Sequence, residues 1–178
     1  GGTLGVVATI GGVPGQVRLW GLNDNGQLGN NTVSAPVNTA VTPLLPAGTQ
    51  VTSLVFGGHH TMVTTSTGSV YAWGRNANGE LGIGNTTQQN SPVLLTTLPA
   101  GVTFTQLAGG TSYSGALGSD GKVYTWGSNT NFGLGSGAPA GTNVLVPTAM
   151  TTLPAGITVE SISTSQLTMH VVFYGPPV

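Results

Sequence analysis

An all-β, β-propeller-type array of about three four-stranded blades, open or partial, with incomplete first and last blades, is the fold class this sequence predicts. Three recurrent features predict it. Trp-Gly pairs stand at 20–21, 73–74 and 126–127, separated by 53 residues in both steps. Leu-Pro-Ala-Gly recurs at 45–48, 98–101 and 153–156, at spacings of 53 and then 55. A turn follows each Trp-Gly pair: Asn23-Asp24-Asn25-Gly26-Gln27-Leu28-Gly29, then Asn76-Ala77-Asn78-Gly79-Glu80-Leu81-Gly82, then the drifted copy at 129–135. One period shared by three landmarks sets repeats at roughly 1–50, 51–103 and 104–158 and a partial repeat at 159–178, within one domain.

Each period reads as four short strands. In the middle copy, residues 51–56 form a β-rich run that ends at Gly57-Gly58, and 60–65 form a second that ends at Ser66-Thr67-Gly68-Ser69. The third, Val70-Tyr71-Ala72-Trp73, alternates, so Tyr71 and Trp73 share one face and Val70 and Ala72 the other. A fourth, weaker run covers 92–97, and its opening Pro92 suits an edge strand. With 30 Gly and 11 Pro among 178 residues, long helices are disfavoured, and no window has helical periodicity.

Composition narrows function. Charged residues make up 4% of the chain, against about a quarter in globular proteins generally. Arg18, Arg75 and Lys122 are too few and too scattered to neutralise a phosphate backbone, so no nucleic acid is expected as a partner. No apolar run approaches the ~20 residues of a membrane span, so no membrane insertion is expected. The absence of cysteine removes disulfides and thiolate metal sites. Gly1-Gly2-Thr3-Leu4-Gly5 has neither Met nor a basic region and reads as a processed or excerpted start.

Gly57-Gly58-His59-His60-Thr61, Gly68-Ser69-Val70-Tyr71-Ala72-Trp73-Gly74, Asn76 and Gly79-Glu80-Leu81-Gly82 together resemble the regulator of chromosome condensation repeat family. The resemblance covers nearly the whole chain. It implies a propeller of four-stranded blades, commonly about seven, and work done by binding: nucleotide exchange on a small GTPase, photoreceptor dimers, inhibition of a β-lactamase. Such diversity on one fold argues against carrying over any one activity. The sequence also departs from the family pattern. The anchor before each second strand reads Leu4, His60, Tyr113 and Leu167, so only one copy keeps the family histidine, and Gly11–Gly15 is an insertion in the first copy.

The candidate residues are structural. Trp20, Trp73, Trp126, Tyr71, Tyr124 and His60 form the expected repeat core, the tryptophans packing between blades and His60 bonding between strands. His59 and His60 point to opposite faces and have no acid near them in sequence, so no metal ligation is expected. The Asn23 turn has calcium-loop spacing but lacks the late bidentate Glu, and its recurrence marks a structural turn. Asn30 and Asn85 head glycosylation sequons. No nucleophile elbow or carboxylate pair gathers in sequence, so no catalytic residue, no cofactor and no enzyme activity is expected. The leading expectation is a non-catalytic extracellular or cell-surface module that self-assembles as a filament or surface-layer subunit, its partners copies of itself or another protein. The alternatives are a protein-binding or enzyme-inhibiting propeller fragment of a longer chain, and a carbohydrate-binding module.

Overall fold

The computed structural model describes residues 2–130, 133–165 and 167–175. Among them are thirteen strands, all paired antiparallel, in four sheets. The first sheet holds β1 (Thr3–Ile10), β2 (Val13–Asn23) and β3 (Ser34–Val41). The second holds β4 (Val51–Phe56), β5 (His60–Thr65), β6 (Val70–Gly74) and β7 (Gln89–Leu94). The third holds β8 (Phe104–Gly109), β9 (Tyr113–Gly118), β10 (Val123–Gly127) and β11 (Val144–Ala149), and the fourth β12 (Thr158–Thr164) and β13 (Met169–Tyr174). The two central sheets follow chain order, as the short connections of a meander require. The fourth strand of the second blade starts at Gln89 and not at Pro92. The ladder, which restarts opposite Gly74 after a bulge, sets that start, and a proline is tolerated within an edge strand.

Antiparallel order assigns every connection to one of two rims. Turns between first and second strands (57–59) and loops between third and fourth strands (24–33, 75–88, and 128–130 with 133–143) share one rim. Hairpins between second and third strands (Ser66–Ser69, Ser119–Lys122) share the other with the Leu-Pro-Ala-Gly turns, where Ser66 N–H bonds Gln50 O and Ser119 N–H bonds Thr103 O.

Alternation along β6 serves two cores at once. Trp73 and Tyr71 pack with Val17 and Leu19 of the first sheet and with Leu28 of the turn that follows β2. Val70 and Ala72 pack with Phe104, Leu107 and Trp126 of the third. Each blade is therefore a wall shared by two interfaces, and the apolar face of one sheet is covered by the next.

Strand register corrects the anchor positions in the outer copies. His60 lies opposite Gly74 and Tyr113 opposite Gly127, and the residue opposite Gly21 is Thr3, with Leu4 opposite Trp20. A hairpin lengthened around Gly11–Gly12 hides this count in the sequence. In the last copy the anchor is Thr168. Its carbonyl accepts from Ser165 N–H at 2.8 Å, as the His60 carbonyl does from Gly57 and the Tyr113 carbonyl from Gly110. Thr164 and Ser165 replace the glycine pair that marks this turn elsewhere, so the sequence offers no landmark there.

Candidate functional site

Two kinds of site emerge: junctions between blades and the rim that carries the long loops. At the first junction, Trp73 Nε1–H donates to the Gln27 carbonyl at 2.7 Å, and Thr61 Oγ1–H donates to the same oxygen at 2.8 Å. At the second, Trp126 Nε1–H and Ser114 Oγ–H both donate to the Glu80 carbonyl at 2.8 Å. Trp73 and Trp126 are fully buried, so neither indole face is open to a sugar. Gly29 and Gly82 lie against the indole edges, where a Cβ would overlap the ring. Trp126 also stacks on Phe104 (centroids 5.9 Å apart, planes at 13°), beside Tyr124, whose hydroxyl donates to Asp120 at 2.8 Å. Tyr71 is half-buried at the first junction, and Trp20 is half-buried on the face of the first sheet turned away from the second.

His60 is buried and its Nε2 lies 2.8 Å from Ser114 Oγ. The single Ser114 hydroxyl proton goes to Glu80 O, so His60 must donate through Nε2–H and is the neutral Nε2 tautomer. Nδ1 then has no proton and no partner. Burial, with smaller contributions from His59 and Arg75, lowers the His60 pKa to about 4.

The recurrent asparagine staples each turn. Asn23, Asn76 and Asn129 are buried, and their Oδ1 atoms accept from the N–H of Leu28, Leu81 and Leu134 at 3.0, 3.0 and 3.2 Å. Their amide groups donate forward into the same loop, to Thr32 O, Asn85 O and Ala138 O. Buried turn polar groups are thus satisfied without metal, by side chains that mimic backbone.

The residue before the repeat leucine is solved differently in two copies. Glu80 is buried, its side-chain oxygen accepting from Asn78 N–H at 2.8 Å, with Arg75 Nε at 3.7 Å. Gln27 accepts from Asn25 N–H at 2.8 Å and donates to Asp24 Oδ1 at 2.7 Å. Where Glu80 has Arg75 and Ala77, Gln27 has Leu22 and Asp24. A buried anion is given a cation, and a buried amide is given an acceptor.

His59 is not remote from acids once the chain is folded. Its Nδ1 lies 3.8 Å from Asp24 Oδ1 and 3.4 Å from Asn25 Nδ2, across the first junction. The hydrogen bond from Gln27 holds the Asp24 carboxyl below its usual range, aided by Asn25 and His59. Two ligand types at one spot do not make a metal centre, and no group of three or more His, Cys, Asp or Glu gathers among the described residues. Glu80 is enclosed in its turn, and Asp120 sits on the opposite rim, 3.6 Å from Lys122, so these two carboxylates do not converge. No helix among the described residues is long and apolar enough to cross a membrane.

The sequence pattern of the regulator of chromosome condensation (RCC1) repeat matches residues 14–64, 67–117 and 120–167. The chain belongs to the RCC1 repeat family. The matched segments straddle the sheets: each takes the third and fourth strands of one blade, followed by the first two of the next in the first two matches and by the first alone, β12, in the third. Among curated relatives, the X-linked retinitis pigmentosa GTPase regulator of Canis lupus familiaris is 37% identical over 139 residues, covering 76% of this chain and 13% of the relative. The mitochondrial RCC1 domain-containing protein RUG3 of Arabidopsis thaliana is 31% identical over 121 residues, covering 68% and 27%. The solved structure of Prp20p from Saccharomyces cerevisiae, described with its binding to Gsp1p and histones, superposes with a TM-score of 0.74 at 25% identity, over 83% of this chain and 37% of that one.

These relatives correct the expected location. RUG3 is mitochondrial by name and the Prp20p structure is described with its binding to histones, which overturns the extracellular or cell-surface placement. Charge depletion together with abundant Thr, Gly and Asn suits an extracellular surface but reflects surface composition and does not fix a compartment. The sequons lose their context with it: Asn30 is half-buried and accepts from Thr32 Oγ1 at 2.7 Å, while Asn85 is exposed on the long-loop rim. One relative is named as a GTPase regulator and the Prp20p structure is described with protein partners, and neither name supports the expected self-assembling surface module.

Proposed function

We propose that this chain is a non-catalytic, protein-binding segment of an RCC1-type propeller and that its binding face is the long-loop rim. The polar continuity of that rim carries the reading. Asp24 and Asn25 of the first turn meet His59 of the second blade. Arg75 N–H bonds the His59 carbonyl, and Asn143 Nδ2 reaches Asn78 Oδ1 at 3.5 Å across the second junction. Three of the seven charged residues lie there, though Glu80 is enclosed. Exposed loops on a rigid sheet scaffold are where binding residues concentrate. Inside the junctions, the repeat side chains hold blades together and have no surface left for a partner.

The partner class is a protein, by analogy with relatives named as regulators of a GTPase or described with Gsp1p and histones. Titration against purified Gsp1p and core histones tests this with two variants. Asp24→Ala with His59→Ala is expected to weaken binding at least about tenfold, the effect of removing ~1.4 kcal/mol of contact. Asp120→Ala with Lys122→Ala, on the opposite rim, is expected to leave it unchanged. Equal loss from both variants, or no binding of either protein, rejects the reading.

A further inference from the structure

The chain has two Asn-Gly steps, Asn25-Gly26 and Asn78-Gly79, at the same place in the first two turns. In such a step the glycine has no Cβ to shield its nitrogen, which can close on the asparagine side-chain carbon where local geometry lets it. Both asparagines are half-buried, so solvent access does not separate them. Their hydrogen bonds do.

Asn78 is held at both ends of its amide. Its Nδ2 donates to Glu80 Oε1 at 3.2 Å, and its Oδ1 accepts from Asn143 Nδ2 at 3.5 Å. The attacking nitrogen is tied as well, since Gly79 N–H donates to Asn76 O at 3.0 Å. Turning this amide would strand an oxygen of the buried Glu80. In the first turn Gln27 stands in place of Glu80. Its one side-chain oxygen is taken by Asn25 N–H and its amide nitrogen turns to Asp24, so Asn25 loses the acceptor that Asn78 has. Asn25 Oδ1 has no hydrogen-bond partner among the described residues, and the Gly26 N–H bond to Asn23 O is longer, at 3.2 Å. Asn25 Nδ2 instead lies 3.4 Å from His59 Nδ1, across the first junction.

We propose that Asn25 is a modification site, at which the Asn25-Gly26 step deamidates through a succinimide while His59 protonates the departing nitrogen. The Gly26 nitrogen gives its proton to water and bonds Asn25 Cγ. The Cγ–Nδ2 bond breaks, and Nδ2 leaves as ammonia with a proton from Nδ1 of the protonated imidazole, which water then restores. A further water opens the five-membered ring at either carbonyl, leaving aspartate or isoaspartate at position 25. One water is consumed and one ammonia released, with no oxidant or reductant. Asp24 Oδ1, 3.8 Å from the same imidazole nitrogen, keeps the ring turned toward the site. The product sets a second carboxylate beside Asp24, changing the charge of the proposed binding face, but the chemistry does not rest on that reading.

The test is incubation of the full 178-residue chain in neutral buffer, followed by peptide mapping with mass spectrometry. Conversion is expected at least about tenfold faster at Asn25 than at Asn78. His59→Gln is expected to slow it at Asn25 by at least about tenfold, below the full worth of a positioned general acid because the site is partly open, and to leave Asn78 unchanged. Free peptides copying residues 22–29 and 75–82 lack the fold and are expected to convert at similar rates. Equal or faster conversion at Asn78, or an undiminished rate in His59→Gln, overturns the proposal. So do peptides that already differ as the folded turns do, which would put the cause in local sequence. An Asn25 that stays intact while its free peptide converts does the same. All readouts are masses and none is a binding measurement, so this site and the proposed binding face fail separately.

Discussion

His60 is a neutral imidazole walled into a junction, and that has a signed consequence for pH. Its pKa is about 4 in the fold against 6.5 in the unfolded chain, so between those values the unfolded state binds the extra proton. Stability from this group is fully present above pH 6.5, falls as pH drops, and the loss is complete below about 4. That difference corresponds to about 3 kcal/mol. Urea unfolding across pH 4–7 is expected to show this slope, and His60→Tyr, which installs the third blade's residue, is expected to flatten it relative to the parent. Parallel slopes in the two proteins would show that other groups set the acid response. The tryptophans make a second residue-scale test. Trp73→Ala removes a buried indole and its bond to Gln27 O, and is expected to cost about 3–5 kcal/mol, the range for large aromatic truncation. Trp20→Ala, on a half-buried ring, is expected to cost clearly less. Thermal unfolding of the pair checks the order.

The turn after each Trp-Gly pair is the element on which both junctions rest, and its internal substitutions are compensated within the turn. Arg75→Leu is expected to cost about 1–3 kcal/mol, less than a fully buried pair because Arg75 is partly exposed. Converting the second turn to the first turn's solution, with Arg75→Leu, Ala77→Asp and Glu80→Gln together, is expected to recover most of that loss. A triple variant as unstable as the single one would show that Glu80 does not depend on Arg75. Asn76→Ala is expected to cost about 1–3 kcal/mol by stranding the Leu81 N–H and the carbonyls of Asn85 and Thr87. Much of this element was legible beforehand: the recurrence of Asn, Gly and Leu marked a structural turn and argued against calcium. That Asn78 N–H and Arg75 would enclose Glu80 was not, since a glutamate in a turn normally faces water.

Over the whole molecule, stability is expected to run along the array from the centre outward, because repeat blades contact only their neighbours. Every residue of β5 is buried, whereas most of β13 is exposed. Native-state amide exchange is expected to be slowest in β5, β6, β9 and β10 and fastest in β1 and β13. Uniform protection would mean that the blades unfold as one unit.

Period, strand pattern and alternation determined the blade type from sequence alone, because each is a local property repeated along the chain. Residues 70–73 declare their two faces without reference to anything distant. The tertiary structure decided the rest. His60 finds Ser114 across 54 residues, Trp73 finds Gln27 O across 46, and Asn25 reaches His59 across 34. The sequence marked His60 and the tryptophans as structural, but not Ser114 or Thr61 as their companions, though these two also lie 53 residues apart. It also misplaced the outer anchors at Leu4 and Leu167, where a longer hairpin and a missing glycine pair broke the count. Such pairings depend on how successive twisted sheets lean against one another, and no single repeat encodes that by itself.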